Sequence, residues 1–338
     1  MPSVLQDRLA AQLLTAPSAR GVAPVVERLL AVQAQDPRGM RLAIRARSQG
    51  LSAADVDRAL SEERSIVVTT LNRGTLHLVL ARDYPWLHAL TTPQLASGNA
   101  RRLREEQVSP GDAERALAIV AAQLGERGAL TREQLREPIA AAGIRVEGQA
   151  LAHILMRAAI EGLIVRGPIV DGRHAFVLTA DWLGAAPRPV DRAAALRELG
   201  RRYLAGHGPA DASDLAKWAG ITLGDARRAL AELPPRPDGL LDLPAREPAS
   251  ALPAPRLLGS FDPSLHGWVS REPIVGRHTG IVTTNGIFRP FAMVAGRAVA
   301  TWTLTRATLT LSELEPIGRG DRAALDADGR ALLRYLGR

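Results

Sequence analysis

The chain has 338 residues, 46% of them apolar and 23% charged, so it is long enough for about two or three compact units with sizeable cores. Its formal net charge is +8, and because Lys217 is its one lysine, 42 of its 43 cationic residues are arginines. The absence of cysteine excludes disulfides, thiol nucleophiles, cysteine-ligated zinc and iron–sulfur clusters. We find neither an apolar run long enough to span a membrane nor a signal peptide, and therefore expect a cytoplasmic protein.

The first third of the chain predicts helices followed by a hairpin. Apolar spacing indicates helices over Ser3–Ala16, Ala23–Gln33 and Asp36–Ser48, with a fourth helix that Ser52 caps. The segment Ser65–Val79 then predicts two strands around the turn Asn72-Arg73-Gly74. This order is the outline of a winged helix-turn-helix, although many small α+β units share it.

The same outline recurs twice further along the chain. In the second copy, helices are expected from Pro110, over Thr131–Ala142, where Pro138 should kink or shorten the helix, and over Glu147–Glu161, before two strands flank Asp171-Gly172. The third copy begins near Asp191, joins two helices through Gly220-Ile221-Thr222, and has Asp238-Gly239 at the tip of its wing. We therefore predict three tandem winged-helix units.

The C-terminal part is richer in predicted strands. A proline-rich linker over Arg246–Pro255 precedes an antiparallel meander with turns at Asn285-Gly286 and Gly296, and Asp321–Leu336 forms a closing helix. The predicted fold class is α+β, mainly helical, with three tandem winged helix-turn-helix units and a C-terminal antiparallel β cap. The expected domains are residues 1–108 with the candidate catalytic motif, 109–188, 189–250 and the β-rich 251–338.

Two glutamines, Gln33 and Gln35, stand immediately before the predicted helix cap Asp36-Pro37. On a continuous helix their side chains would point about 200° apart. Because Pro37 moves the preceding residue out of the helical region, the backbone is expected to break close to Gln35, so the two amides can converge. The alternative is that both amides only satisfy backbone groups at helix ends.

Polar residues also mark two other segments. At the first hairpin, alternation places Asn72, Thr75 and His77 on polar faces, and Arg73 and His77 could contact phosphate or a base. Further along, Asp262 and His266 could support catalysis or cap a turn. The seven scattered histidines form no metal-binding motif, and no phosphate-binding glycine loop is present, so we expect neither a metal nor a cofactor.

Three segments together resemble the winged-helix DNA glycosylases, whose branches include AlkZ-like self-resistance proteins and YcaQ-like proteins. They are LLAVQAQDPRGMRLAIRAR, the RGTLHLV stretch that begins at Arg73, and GIFRPFAMVAGRAVATW, in order over roughly residues 5–315. The resemblance implies three winged helices with a basic concave surface and excision of alkylated bases. Its AlkZ-like branch carries Gln-apolar-Gln, which matches Gln33-Ala34-Gln35 and makes these glutamines the expected catalytic pair.

This resemblance predicts a monofunctional DNA glycosylase that hydrolyses the N-glycosidic bond of cationic alkylated purines such as N7-alkylguanine, including bulky adducts or crosslinks, in repair or self-resistance. The expected partner is double-stranded DNA bound by a monomer. The hairpin residues Asn72, Arg73, Thr75 and His77 would contact the duplex together with Arg45 and Arg173, and Asp262 and His266 would support the site. Alternatives are a non-enzymatic winged-helix transcription regulator and a family member without activity.

Overall fold

A computed structural model of the protein describes residues 3–170, 172–184, 190–244, 246–283 and 285–338. The chain forms two compact units. The terminal unit comprises the residues up to Val56 and those from Leu196 onward, and the central unit comprises Asp57–Ala195. Asp171, at the predicted tip of the second wing, lies outside the described residues. The four-part division stays a prediction.

The N-terminal segment of the terminal unit is helical around one short strand. Its elements are α1 (Val4–Ala11), α2 (Val22–Leu29), β1 (Val32–Gln33), α3 (Pro37–Arg45) and α4 (Ala53–Ser61), which runs into the central unit. Ser3 and Gln6 form a capping box on α1. The first two helices end earlier than predicted, because the backbone turns left-handed at Leu13 (φ 60°) and Leu30 (φ 64°).

The central unit alternates helices with two hairpins. Its elements are β2 (Ile66–Leu71), β3 (Thr75–Leu80), α5 (Tyr84–Thr91), α6 (Ala96–Glu105), α7 (Pro110–Arg127), α8 (Arg132–Ala141), α9 (Ala150–Ile160), β4 (Ile164–Val170), β5 (Arg173–Leu178) and α10 (Thr179–Leu183). Its strands lie in the order β3-β2-β4-β5 and all their pairs are antiparallel. Both predicted hairpins are present, and α8 continues through Pro138 to Ala141.

The C-terminal segment of the terminal unit begins with three helices. They are α11 (Arg192–His207), which starts in the central unit, α12 (Ala212–Ala219) and α13 (Leu223–Leu230). As predicted, the chain reverses between α12 and α13 at Gly220 (φ 68°). The Thr222 side chain caps α13. A turn follows at Asp238-Gly239, but the predicted wing consists of isolated bridges from Leu241 to Ala210 and Pro235 instead of two full strands.

A four-stranded antiparallel sheet completes the terminal unit. Its elements are β6 (Arg256–Leu258), α14 (Glu272–Val275), β7 (Phe291–Val294), β8 (Arg297–Thr305), β9 (Thr308–Glu313) and α15 (Arg319–Tyr335), with strand order β6-β7-β8-β9. The predicted meander starts too early, because the described residues of 281–290 form a bridge between Val282 and Phe288 and no full strand. Leu42 of α3, Trp302 of β8 and Leu332 of α15 share one core, which fixes α3 against the sheet.

None of the helices in the described part of the chain is long and apolar enough to cross a membrane. The fold is α+β, with helices and two antiparallel sheets, as predicted.

Candidate active site

Gln33 lies in the strand β1 and Gln35 in the bend that follows. Neither residue lies in a helix, so the separation of their side chains expected on a continuous helix does not apply. Val32 and Ala34 are buried, Gln33 is 6% exposed and Gln35 is exposed. The Gln33 Oε1 atom is buried and has no hydrogen-bond partner among the described residues. The backbone bends at Gln35, as predicted, and in addition the preceding helix α2 ends at Leu29, before both glutamines.

The chain leaves the motif through a capped helix start. The Asp36 side chain accepts a hydrogen bond of 3.0 Å from the backbone N–H of Arg38, and Pro37 occupies the first helical position, as predicted. Gly39 in the first turn of α3 lies directly against the backbone of Ser260. A Cβ atom at Gly39 would lie 2.3 Å from the Ser260 carbonyl oxygen, so this close approach requires glycine.

A buried ion pair joins Arg47, in the turn directly after α3, to the segment after Ser260. Arg47 Nη2 lies 2.8 Å from Asp262 Oδ1 and Nη1 lies 2.9 Å from Oδ2, and both side chains are fully buried. Gln12 accepts a hydrogen bond of 2.9 Å from Arg47 through Oε1 and donates one to the Pro263 carbonyl through Nε2. We call Gln12, Arg47 and Asp262 the ion-pair cluster; it ties the N-terminal helix, α3 and this segment together.

The charge of Arg47 controls the ionisation of Asp262. Burial alone would raise the pKa of the Asp262 carboxyl, but the adjacent guanidinium and hydrogen bonds from Arg47 and Ser264 hold that pKa below its ordinary value. The carboxylate is therefore ionised at neutral pH. Because Asp262 is wholly buried and bonded to Arg47, its observed contacts are those of a structural group.

Aromatic rings lie beside the ion-pair cluster. Phe261 stacks on His266, with ring centroids 6.1 Å apart and planes 10° apart, and Phe288 lies 5.2 Å from Phe261 and 4.2 Å from His266. The Arg271 guanidinium lies 5.1 Å from the centre of the Phe288 ring. His266 is thus part of an aromatic group, 8% exposed.

Arg45, which we expected to contact DNA, is the last residue of α3 and lies at the end of that helix opposite the glutamine motif. Its Nη2 atom is 2.6 Å from Asp328 Oδ1 and 2.9 Å from the Asp328 carbonyl oxygen, and its side chain is 11% exposed. In this structure the Arg45 charge is thus paired within the protein. Its contact with phosphate stays a prediction.

The other predicted DNA contacts lie in the central unit, all except Arg173 on the β2–β3 hairpin. Leu71 pairs with Thr75 at the end of the ladder, so Asn72-Arg73-Gly74 forms the turn, as predicted. Asn72 adopts a left-handed conformation (φ 54°) and is 1% exposed, and neither its Nδ2 nor its Oδ1 atom has a hydrogen-bond partner in the described ranges. Arg73 is exposed at the tip.

His77 and Thr75 share one face of the hairpin, and Leu76 and Leu78 lie on the other, as the alternation predicted. The polar face is buried, however. His77 pairs with Thr69, is 6% exposed, and has Nδ1 at 3.0 Å from the Thr75 carbonyl oxygen. Burial lowers the pKa of His77 to about 4, so the ring is neutral at pH 7 and offers no positive charge to a phosphate.

Two hydroxyls on this face, Thr69 Oγ1 and Thr75 Oγ1, are also buried without a hydrogen-bond partner in the part of the chain that the structure describes. We call Thr69, Asn72, Thr75 and His77 the hairpin cluster. Arg173, at the start of β5, is 63% exposed and forms an ion pair of 2.8 Å with Glu133. Its predicted contact with DNA stays untested.

Sequence reasoning missed Gln12 and Arg47. One signal was present for Arg47: it follows the buried residues Met40 and Ile44 at helical spacing, so its side chain falls on the apolar stripe of α3. A charged residue on such a stripe requires a buried partner. Nothing in the local sequence identified that partner as Asp262, 215 residues away.

A sequence profile described as "DNA glycosylase AlkZ-like" matches residues 26–335. The chain belongs to the AlkZ-like DNA glycosylase family. It is thus a DNA glycosylase, a DNA-repair enzyme that hydrolyses N-glycosyl bonds, as predicted, and not the transcription regulator considered as the alternative.

The fold of this glycosylase also has a solved counterpart. Its structure is similar to that of the Streptomyces sahachiroi DNA glycosylase AlkZ, with a TM-score of 0.79 over 100% of this chain and 98% of that one. The two sequences are 21% identical, so this likeness concerns the fold alone. No protein among the curated ones matches the chain in sequence.

Proposed function

We propose that this glycosylase hydrolyses the N-glycosidic bond of cationic alkylated purines, N7-alkylguanine above all, with Gln33 and Gln35 as its catalytic pair. The observation that carries the proposal is the Gln33 amide oxygen, buried without a hydrogen-bond partner among the described residues. A buried acceptor without a protein partner is stabilised by any group that hydrogen-bonds to it, so this oxygen is available to a bound molecule. A catalytic water, or the positive charge that develops on the sugar, would satisfy it.

The chemistry of an amide pair selects the substrate. Glutamine has no useful pKa and cannot act as a general base as a carboxylate does. Its oxygen can orient a water molecule toward the anomeric carbon, and its dipole can stabilise the positive charge that grows there. This modest assistance suffices when the leaving base already carries a positive charge, as N7-alkylguanine does. Uracil and undamaged bases lack that charge.

The position of the one lysine favours a monofunctional enzyme. Strand cleavage by β-elimination would require an amine that forms a Schiff base with the sugar. Lys217 belongs to α12, and its Nζ atom donates a 3.0 Å hydrogen bond to the Val269 carbonyl oxygen. That amine is therefore engaged with the backbone of another segment in this structure. We therefore infer simple hydrolysis that leaves an abasic site.

For DNA binding we propose three tandem winged helices with the boundaries predicted from the sequence. The helix pair α12–α13 and the two hairpins β2–β3 and β4–β5 support this reading. The exposed Arg73 at the hairpin tip and the exposed Arg173 would meet phosphates directly. Contact of the duplex with Asn72, Thr75 and His77, and of a phosphate with Arg45, would require binding to expose these largely covered side chains. Because the arginines of this basic chain would neutralise phosphates, affinity should fall steeply with salt.

We further propose that the enzyme acts as a cytoplasmic monomer on lesions made by alkylating natural products, in repair or self-resistance. An exposed Gln35 beside a buried Gln33 suits an open cleft, in which a bulky adduct need not enter a closed pocket. Incubation with duplexes that carry N7-guanine adducts of increasing size, and with crosslinked duplexes, would establish the range of substrates.

The decisive experiment is the double substitution Gln33→Ala and Gln35→Ala. We expect base release from N7-methylguanine DNA, measured as alkali-labile abasic sites, to fall at least about 100-fold, since single preorganised polar groups contribute about this much. Binding of the same DNA should survive. Gln123→Ala is the matched control, because Gln123 lies half-buried on α7, far from Gln33 in the sequence and in the other unit, and its Oε1 atom accepts a hydrogen bond from the Arg127 side chain. Release that persists in the double variant would refute the catalytic assignment.

A further inference from the structure

Phe261 has a backbone conformation that a phenylalanine rarely adopts. Its φ of 57° lies in the left-handed region, where a Cβ atom is crowded. The conformation is imposed from both sides: the Ser260 carbonyl lies against Gly39, and Asp262 is bonded to Arg47 and caps the backbone N–H of Ser264 at 2.9 Å. Strained residues that the surrounding structure holds in place concentrate at functional sites.

Phe261 is neither a fully buried nor a fully exposed residue. Its neighbours Asp262 and His266 are buried, whereas Phe261 itself is partly exposed. His266 and Phe288 support the ring from within the terminal unit. A rigid aromatic ring that rests on other rings and keeps an accessible edge or face is what a stacking contact with a nucleobase requires.

The position of Phe261 relates it to the glutamine motif within the same unit. Ser260, directly before Phe261, touches Gly39, and Gly39 is the fourth residue after Gln35. Two backbone segments packed this closely move together. The ion-pair cluster therefore fixes the ring relative to the start of α3 and the motif that precedes it.

We propose that Phe261 stacks on the damaged purine and thereby determines the preference for cationic lesions. The face of an aromatic ring carries negative charge density and attracts a cation, so it would bind N7-alkylguanine more tightly than neutral guanine. The inference rests on the proposed function for the lesion class, but concerns binding instead of bond cleavage. Phe261 would hold the base, and Gln33 and Gln35 would act at the sugar.

The test measures lesion preference without catalysis. The probe is a labelled duplex with 2′-fluoro-N7-methylguanine, whose fluorine makes the glycosidic bond resistant to hydrolysis, and fluorescence anisotropy compares its affinity with that of the undamaged duplex. Phe261→Leu should lower the preference roughly 10- to 100-fold, the range that stacking and cation contacts with bases give. Phe261→Tyr, which keeps the ring, should recover most of it.

Two further variants separate stacking from folding. Phe261→Asn removes the ring but favours the left-handed backbone, so it should fold and lose the preference as Phe261→Leu does. Phe291→Leu makes the same change in a fully buried ring of β7 and should lower the melting temperature while the preference is kept. Unchanged preference in both ring-removing variants, or a Phe261→Tyr variant as impaired as Phe261→Leu, would overturn the proposal. Because no bond is cleaved, these results stay interpretable if Gln33 and Gln35 prove not to be catalytic.

Discussion

The ion-pair cluster of the terminal unit and the hairpin cluster of the central unit are both buried polar groups, but they are satisfied differently. Both oxygens of Asp262 and both terminal nitrogens of Arg47 are hydrogen-bonded, and within the described residues only Nε of that guanidinium lacks a partner. In the hairpin cluster, the amide of Asn72 and the hydroxyls of Thr69 and Thr75 lack partners over those same ranges.

This difference distinguishes a cluster that stabilises the fold from a cluster that is a candidate for contacts with DNA. A satisfied buried network makes the fold specific and rigid, whereas orphaned polar atoms reduce stability unless a ligand completes them. The ion-pair cluster thus positions Phe261 and α3, and the hairpin cluster retains unused hydrogen-bonding capacity. Removing a polar side chain should therefore lower the free energy of unfolding in the ion-pair cluster and raise it in the hairpin cluster.

The largest effect is expected from Arg47→Leu. The substitution leaves the Asp262 carboxylate buried without its counter-charge, and we expect it to lower the free energy of unfolding by about 3–5 kcal/mol, measured by urea denaturation. Arg201→Leu is the control: its ion pair with Glu198 is 57% and 40% exposed, and its loss should cost less than about 1 kcal/mol. An equal loss of unfolding free energy in the two variants would show that the ion-pair cluster does not stabilise the fold.

An intermediate effect is expected from acid. The folded pKa of His77, about 4, lies below the value of about 6.5 for an unfolded histidine, so the unfolded chain binds the proton more readily between these values. The stability that His77 contributes is complete above about pH 6.5 and is lost as the pH falls, at about 1.4 kcal/mol per pH unit. Burial also lowers the pKa of His207 in the terminal unit, to about 3, and adds a similar slope.

The measurement is urea denaturation between pH 7 and pH 5, a range in which few carboxyl groups titrate. His77→Gln should reduce the slope of the central unit without abolishing it, because burial also lowers the pKa of His88 and the pKa of His153 in that unit, and it should leave the slope of His207. A pH-independent stability of the wild-type central unit would mean that His77 is accessible to protons in the folded state. It would then be free to contact DNA as a cation.

The sequence predicted local structure well because local chemistry determines it. Asp36-Pro37 starts α3, Asn72-Arg73-Gly74 turns the first hairpin, and Gly220 with Thr222 joins α12 to α13. Each of these signals is complete within a few residues. The early end of α2 was not predictable, because apolar spacing continues through Leu30 while tertiary packing imposes its left-handed backbone.

The sequence did not predict which residues far apart in the chain contact each other. Asp262 was singled out as a candidate, but its partner Arg47 lies 215 residues earlier. Likewise, alternation placed His77 on a polar face but carried no information on whether that face is covered. Periodicity gives the direction of a side chain, whereas burial depends on elements that pack from elsewhere in the chain.

The smallest expected effect comes from removing one amide side chain from each cluster, and it tests the comparison most directly. The free energy of unfolding should rise when the amide is removed from the hairpin cluster and fall when it is removed from the ion-pair cluster. Asn72→Gly removes two orphaned polar atoms at a left-handed position that glycine adopts freely, so we expect the free energy of unfolding to rise by up to about 1 kcal/mol. Gln12→Leu removes an amide that bonds Arg47 and Pro263, and should lower it by about 1–3 kcal/mol.

The affinity of the Asn72→Gly variant for DNA should change in the opposite direction from its stability. If the Asn72 amide forms hydrogen bonds with DNA in the complex, the Asn72→Gly variant should bind lesion duplex more weakly than the wild type, even though the variant is the more stable protein. Anisotropy and urea denaturation on the same preparations measure both quantities. A variant that is stabilised and still binds normally would make the Asn72 amide a tolerated packing defect, and the hairpin cluster would no longer differ in kind from the ion-pair cluster.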